Sequence, residues 1–338
     1  MKRKLMQHFK KLSNAIKQFN GKAMLDLESY CVEVRFDNRT HMLYPQFVTF
    51  VEGEKRYTPN FESNVKRFCG WRPYFNRPVP LFSHKLNIKE LMSKNGIATP
   101  EFGMDGDHAP EGSLIKRSNS SFGSEIRGPL KSPSKVKLNK EKEEFYEKFI
   151  TGKILKTWFW NDKAVCVEMQ EMARVKGDGS STIEALVNQR MKKKKKPVKL
   201  EQVAEVLDYF GKRLDTVLAE GELQLVDFRY SSPLIPNKNK KEVSLGRKKE
   251  VGGRVKAIRK QAKPIGELLW NSLPEEERSN IVYTVDGILD DDDTMWVLEV
   301  NANPFVHPFV YKRMIKSLSE TMPGSNPMAP DHAEGVRH

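Results

Sequence analysis

The pattern that most constrains this chain lies near its end. There Ile281 to Leu289 and Met295 to Val300 are apolar runs separated by Asp290-Asp-Asp-Asp293. Two apolar runs of strand length around an acidic, turn-forming cluster predict a β-hairpin. Asp286 interrupts the first strand, and Glu299 and Asn301 interrupt the second. Side chains alternate along a strand, so Glu299 and Asn301 share one face while Leu298 and Val300 face a core. Three oxygen-bearing side chains then converge on one side of a sheet, a donor set that suits Mg²⁺ completed by phosphate oxygens. Taken alone, the pattern also describes the polar face of a half-exposed hairpin.

A chain of 338 residues fits two or three lobes. No run of eighteen apolar residues occurs, so no membrane-spanning helix is expected. The basic start Met1-Lys-Arg-Lys-Leu5 has no apolar signal core behind it, and the expectation is a cytoplasmic protein. The three cysteines, Cys31, Cys69 and Cys166, are scattered and exclude a disulfide framework or a zinc site. The net charge of +14 attracts anions of any kind, from nucleic acid to acidic peptides, and does not choose among them. The Lys192 to Lys196 run reads as a solvated loop rather than a nucleic-acid patch, by roughly three to one.

Elsewhere, Leu5 to Phe19 has helical spacing, and Cys31 to Phe36 and Gln46 to Val51 alternate as strands. Residues 61 to 80, rich in Arg, Pro and aromatics, predict an irregular connection. A helix is expected from a Ser83 cap to Gly96. Leu114-Ile-Lys116 reads as a strand ending in a cation. It runs into Ser118 to Ser124, whose small residues can turn backbone N–H groups toward phosphate. Glu141 to Ile150 predicts a helix and a strand entry, with Glu147 before the apolar Phe149 and Ile150. Leu155 to Glu171 predicts two strands around Asn161-Asp162, Thr182 to Met191 a helix capped at its start, and Ile265 to Leu273 another. Pro323 to His338 is polar and aperiodic and reads as a disordered tail.

The order and spacing of these segments resemble the ATP-grasp ligases over roughly residues 80 to 312. Asp286, Glu299 and Asn301 are similar to that family's two-magnesium triad, including the thirteen-residue step from Asp to Glu. Lys116 resembles its lysine before the glycine-rich loop, and Ser120, Ser121 and Gly123 the loop itself. Ser83-His-Lys85-Leu resembles an earlier lysine element that reaches the phosphates. Glu147, Lys148, Phe149 and Ile150 resemble the adenine hinge. Gly177-Asp-Gly-Ser-Ser-Thr-Ile183 is narrower, similar to cyanophycin synthetases and bifunctional glutathione synthetases. Asn303-Pro304-Phe305 stands where the family carries Asn-Pro-Gly, which alters the acceptor end of the site.

The resemblance implies an α+β chain of the ATP-grasp fold, with an ATP-grasp domain over 81–322; residues 1–80, which it does not cover, read from their own helical and strand stretches as an N-terminal α/β lobe. ATP would lie between two α+β lobes, under a mobile lobe spanning about 115–170 that closes over the nucleotide. It further implies ATP and two Mg²⁺ ions as cofactors, with Mn²⁺ as a substitute. The activity implied joins a carboxylate substrate (an amino acid or peptide) to an amine acceptor. No membrane partner is expected, and a homo-oligomer is left open. Two rivals remain: an ATP-grasp kinase acting on an alcohol, and a basic nucleic-acid-binding protein, which leaves Asp286, Glu299 and Asn301 unexplained.

Overall fold

A computed structural model describes residues 2–37, 39–51, 54–75, 77–118, 126–131, 137–192, 199–230, 232–235, 240–246 and 252–320. Helices and strands are mixed, and every pairing between described strands is antiparallel. The Lys192 to Lys196 run, apart from Lys192, and the tail lie outside these residues.

Helix α1 (Lys2–Gln18) is followed by β1 (Lys22–Leu25), β2 (Val32–Phe36), β3 (Arg39–Val51), β4 (Glu54–Thr58) and β5 (Arg67–Arg72). They form one sheet in the order β1-β2-β3-β4, with β5 also paired to β3. β5 corrects the expectation of an irregular stretch at 61–80. Its Trp71 and Arg72 are almost fully buried, and its ladder partner β3 lies some twenty residues earlier, a tertiary pairing that local composition does not reveal. These eighty residues do not enclose a core of their own. Trp71, Phe47 and Phe68 pack in the same cluster as Tyr283, Tyr311 and Leu269, and Tyr311 Oη lies 2.7 Å from His8 Nδ1.

The short α2 (Pro80–Ser83) leads into α3 (Lys85–Lys94). Ser83 does not cap α3. Its hydroxyl donates back to the Val79 carbonyl, and His84 takes the cap position without a side-chain bond. Gly96, at φ +66°, ends the helix in the left-handed region as expected. A four-stranded sheet follows: β6 (Phe102–Gly103), β7 (Ser113–Arg117), β8 (Arg127–Leu130) and β9 (Glu144–Lys148), in the order β6-β9-β7-β8. The helix expected at 141 is a turn, and Glu143 has a positive φ there.

After Gly152 the chain leaves that sheet. β10 (Lys153–Trp160) and β11 (Lys163–Glu171) form a hairpin around Asn161, at φ +53°, as a two-residue turn requires. Next come β12 (Ala173–Lys176), α4 (Ile183–Lys192), α5 (Leu200–Tyr209) and β13 (Leu223–Asp227), with β12 paired to β13. Asp178 accepts from the Ser180 and Ser181 N–H groups, and Thr182 Oγ1 accepts from the Ala185 N–H, so the start of α4 is capped as its sequence predicts. The last elements are β14 (Lys241–Ser244), α6 (Gly253–Asn271), β15 (Val282–Leu289), β16 (Met295–Ala302) and α7 (Val310–Glu320). Helix α6 starts well before the expected Ile265 and carries Pro264 inside it.

The central sheet runs β14-β11-β10-β15-β16. Residues 115–170, expected as one lobe, are thus divided between two sheets. One row across the central sheet is Val243, Val167, Thr157, Val285 and Val300; Val167, Val285 and Val300 lie in the large core, Val243 packs against it and Thr157 is buried. A second core gathers Phe149, Ile154, Val226 and Ile288 with α4 and α5. Among the described residues no helix is long and apolar enough to cross a membrane.

Candidate nucleotide and metal site

The row next to the apolar one is charged from edge to edge. Glu242, Glu168, Lys156, Asp286 and Glu299 are successive register partners across β14, β11, β10, β15 and β16. A strand alternates, so if the Val row is in the core, this row stands on the other face. Asp286 and Glu299 are the expected pair, and Asn301 joins them. Its Nδ2 donates to Asp286 Oδ2 at 3.1 Å and to Glu299 Oε1 at 3.2 Å.

One expectation about this hairpin is corrected. Asp286 pairs with Glu299 and Gly287 with Val297, which leaves Leu298 as the extra residue of a bulge. Leu298 packs with Trp296 on the second core, while Val300 belongs to the first. The bulge breaks the simple alternation, so Val297 and not Leu298 shares the core of Val300.

Asp286 has a second neighbour that the sequence reading missed. Lys156 Nζ lies 2.8 and 3.0 Å from its two carboxylate oxygens. Burial pushes the Asp286 carboxyl up to about 6; Lys156 opposes the shift, and Glu299 adds to it. The signal was a lone lysine in the otherwise apolar Leu155-Lys-Thr-Trp-Phe-Trp160. Glu168, in Val165-Cys-Val-Glu-Met169, is of the same kind. It is buried, accepts from the Tyr230 hydroxyl, and meets Lys240 Nζ at 2.5 Å.

The other wall comes from α3 and the four-stranded sheet. Lys85 and Lys89 are one helical turn apart and share a face. Lys85 Nζ reaches Glu299 Oε2 at 3.5 Å and the Arg117 carbonyl at 3.4 Å. Lys89, wholly buried, meets Glu147 Oε2 at 2.5 Å and donates to Thr99 Oγ1. Lys116 Nζ bonds the other oxygen of Glu147. Burial opposes charge on Glu147, but the two ammonium groups outweigh it and hold its carboxyl below the usual range. Burial also lowers the Lys85 and Lys89 ammonium groups. Helix α3 therefore ties the two sheets together, Lys85 to the acidic row and Lys89 to the lysine-bearing strand pair.

The expected hinge is placed less simply. Glu147 is enclosed between Lys89 and Lys116, with one carboxylate oxygen engaged by each ammonium group. The N–H groups of Lys148 and Phe149 donate to the carbonyls of Glu101 and Gly112. The Phe149 ring is buried in the second core and Ile150 packs on it. Ser120, Ser121 and Gly123 lie outside the described residues.

Among the described residues no three His, Cys, Asp or Glu side chains are grouped to hold a metal. The candidate set is smaller: two carboxylates and one carboxamide. These fit a divalent cation that takes its remaining ligands from phosphate. The Asn301 amide donates to both carboxylates, occupying with partial positive charge the place a cation would take, and a 180° turn of that amide presents its oxygen instead. A prediction follows from Asp286. Between its unfolded value and about 6 the folded state holds the proton and the unfolded state does not, so metal-free stability falls as pH rises through that window. Mg²⁺ needs the carboxylate. The gain in melting temperature on adding Mg²⁺ with ATP should therefore be full at pH 7.5 and largely lost at pH 5; equal gains at both would contradict it.

No family model matches this chain, and no curated protein matches it. Among solved structures it is similar to a bifunctional glutathione synthetase from Pasteurella multocida, with 16% identity and a TM-score of 0.40 over 91% of this chain and 42% of that one. It is also similar to a D-alanine–D-alanine ligase from Bacillus anthracis, at 12% identity and a TM-score of 0.38, covering 71% of this chain and 67% of that one. An L-amino acid ligase from Bacillus licheniformis shows 12% identity and a TM-score of 0.36, covering 75% and 51%. The chain thus spans less than half the length of the glutathione synthetase. These are distant likenesses, and what those proteins act on is said of them alone.

Proposed function

We propose that the chain is an ATP-dependent carboxylate–amine ligase of the ATP-grasp kind, forming an amide through an acyl phosphate and releasing ADP and phosphate. The observation that carries this reading is one constellation: Asp286, Glu299 and Asn301 on the central sheet, with Lys85 from α3 reaching Glu299. Lys116, seated by Glu147, belongs to the same wall. Anionic and cationic side chains meeting between two sheets suit a polyphosphate with its counter-ion.

In this reading Lys85 and Lys116 neutralise the phosphate oxygens. Asp286, Glu299 and Asn301 would hold Mg²⁺, which when bound screens the phosphate charge. The substrate carboxylate forms a P–O bond to the γ-phosphorus while the bond to ADP breaks. The amine then forms the C–N bond, phosphate leaves with the C–O bond, and the amine proton passes to solvent. Positioning and charge neutralisation supply the catalysis, so no protein nucleophile is required. The Phe149-Ile150 stretch that follows β9, beside the apolar Ile154, Ile288 and Leu298, is the natural place for the adenine base.

Lys116→Ala tests the nucleotide assignment. It removes one charge-assisted contact, so ATP should bind roughly ten- to a hundredfold more weakly. Glu147 keeps Lys89 as its partner but loses the larger of the two cations that offset its burial, so the melt should fall while the fold persists. Unchanged ATP affinity would refute the role. ADP release should also require a carboxylate and an amine together; release with an alcohol alone would favour the kinase instead.

A further inference from the structure

Each carboxylate of the charged row meets one basic side chain, and one of these pairs is unlike the rest. Glu242 meets His307 Nε2 at 3.2 Å, Asp286 holds Lys156, and Glu299 holds Lys85. Glu168 does not hold Lys156, its register neighbour, but Lys240, at 2.5 Å. The Glu168 side chain is 3% exposed in the middle of β11, while that of Lys240 is 36% exposed, just before the edge strand β14. A buried carboxylate needs such a partner. Here the sheet supplies the anion, and a half-solvated side chain on a rotatable four-carbon stem supplies the cation.

Tyr230 completes the surroundings of that ammonium. Its hydroxyl donates to Glu168 Oε1, and Lys240 and Lys156 lie 6.0 and 5.4 Å from its ring centroid. Gln170, two residues beyond Glu168 in β11, donates to the Tyr230 carbonyl at 3.1 Å and fixes that residue. Tyr230 is nonetheless 40% exposed, so the place is reached from solvent. A carboxylate beside an aromatic ring is a receptor for an alkylammonium. The neighbouring charges leave room for only one. Those of Lys4 and Lys240 reach Glu242, and that of Arg67 reaches Lys4 and Tyr230. Against Glu242 alone they leave this edge positive with Lys240 in place, so a ligand ammonium exchanges with Lys240 rather than joining it.

We propose that Glu168 and Tyr230 bind the acceptor amine of the ligase proposed above, and that the acceptor enters as a primary alkylammonium in the place Lys240 fills here. The inference rests on that reading and names its second substrate by class. The row sets the order of the parts. Lys85 and Glu299 stand at one end, and Glu168 is two strand spacings, about 10 Å, from Asp286, with Lys156 between them. An amine on Glu168 therefore lies across Lys156 from the cation-binding pair, with room for an acyl group between. An alcohol lacks the charge and a quaternary ammonium lacks the N–H groups that Glu168 pairs with. Lys240 is then an internal competitor that leaves when the acceptor enters.

The test is titration of the full chain with n-butylamine at pH 7.5, without nucleotide, read by saturation-transfer NMR. Butylamine is an ammonium at that pH, as a lysine side chain is. 1-Butanol and butyltrimethylammonium are the controls. Butylamine should bind wild type, and both controls should bind at least about tenfold more weakly. Glu168→Gln should weaken butylamine at least about tenfold, with Tyr230→Phe in between. Lys240→Ala should bind it several-fold more tightly, because the competitor is gone. If circular dichroism shows that Glu168→Gln does not fold, Tyr230→Phe carries the expectation of weaker binding. No binding to wild type overturns the proposal, even where Lys240→Ala binds, since the amine then only refills a truncated side chain. Equal binding by wild type and Glu168→Gln overturns it too, as does Lys240→Ala binding no better than wild type. If ATP fails to bind while Glu168-dependent amine binding persists, the ligase reading falls and the amine site stands. If ATP binds and butylamine does not, the amine site alone falls.

Discussion

Glu299→Gln is expected to reduce ADP release by roughly 10²–10³-fold while leaving the fold intact, the scale of losing one preorganised electrostatic group at a reacting centre. Glu299 is the register partner of Asp286 and touches Asn301 and Lys85. Glutamine fills nearly the same volume, so packing survives. What disappears is one of two carboxylates needed to attract a divalent cation. Glu299 pushes the Asp286 carboxyl up but is also the counter-charge of the largely buried Lys85, so its two effects on the metal-free melt oppose one another and the variant should stay folded. A structural hairpin with no metal role predicts parent-like turnover at ordinary Mg²⁺. ADP release over a Mg²⁺ titration, with circular dichroism on the same samples, separates the two, and parent-like turnover would remove the main support for the ligase reading.

Glu147→Gln is expected to cost about 3–5 kcal/mol of stability, because it leaves buried cations without their counter-charge. Lys89 is fully enclosed and Lys116 nearly so, and both converge on this carboxylate. Adding Lys89→Met to the variant should return a good part of the loss, since the remaining ammonium, Lys116, is nearer solvent. Urea unfolding of the two single variants and the double variant gives the coupling directly. A double variant no more stable than Glu147→Gln would show that the triad does not act as a unit.

The contrast between these residues shows what a sequence reading can reach. Asp286, Glu299 and Asn301 were legible because strand alternation and an acidic turn fix which side chains share a face. The bulge at Leu298 was not, since one extra residue in a ladder leaves no mark on composition. The partners of Glu147 were not legible: Lys89 arrives from a helix nearly sixty residues away, and Lys116 from the neighbouring strand β7. Lys156 and Glu168 gave a local signal, a lone charge in an apolar strand, that acquires meaning only when β10, β11 and β15 are laid side by side.

The charged row across the central sheet makes strand register itself a functional quantity. Five side chains from five strands stand in line because each ladder is held at one offset. Moving any strand by a single residue exchanges its charged member for the valine or threonine beside it, and carries that charge into the core. A surface turn such as Asn161-Asp162 is ordinarily where a chain tolerates insertion. Here the turn acts as a ruler, setting the offset between β10 and β11. The tolerance of this fold to changes in loop length should therefore be lowest at the hairpin turns of this sheet, although no residue in those turns belongs to the row.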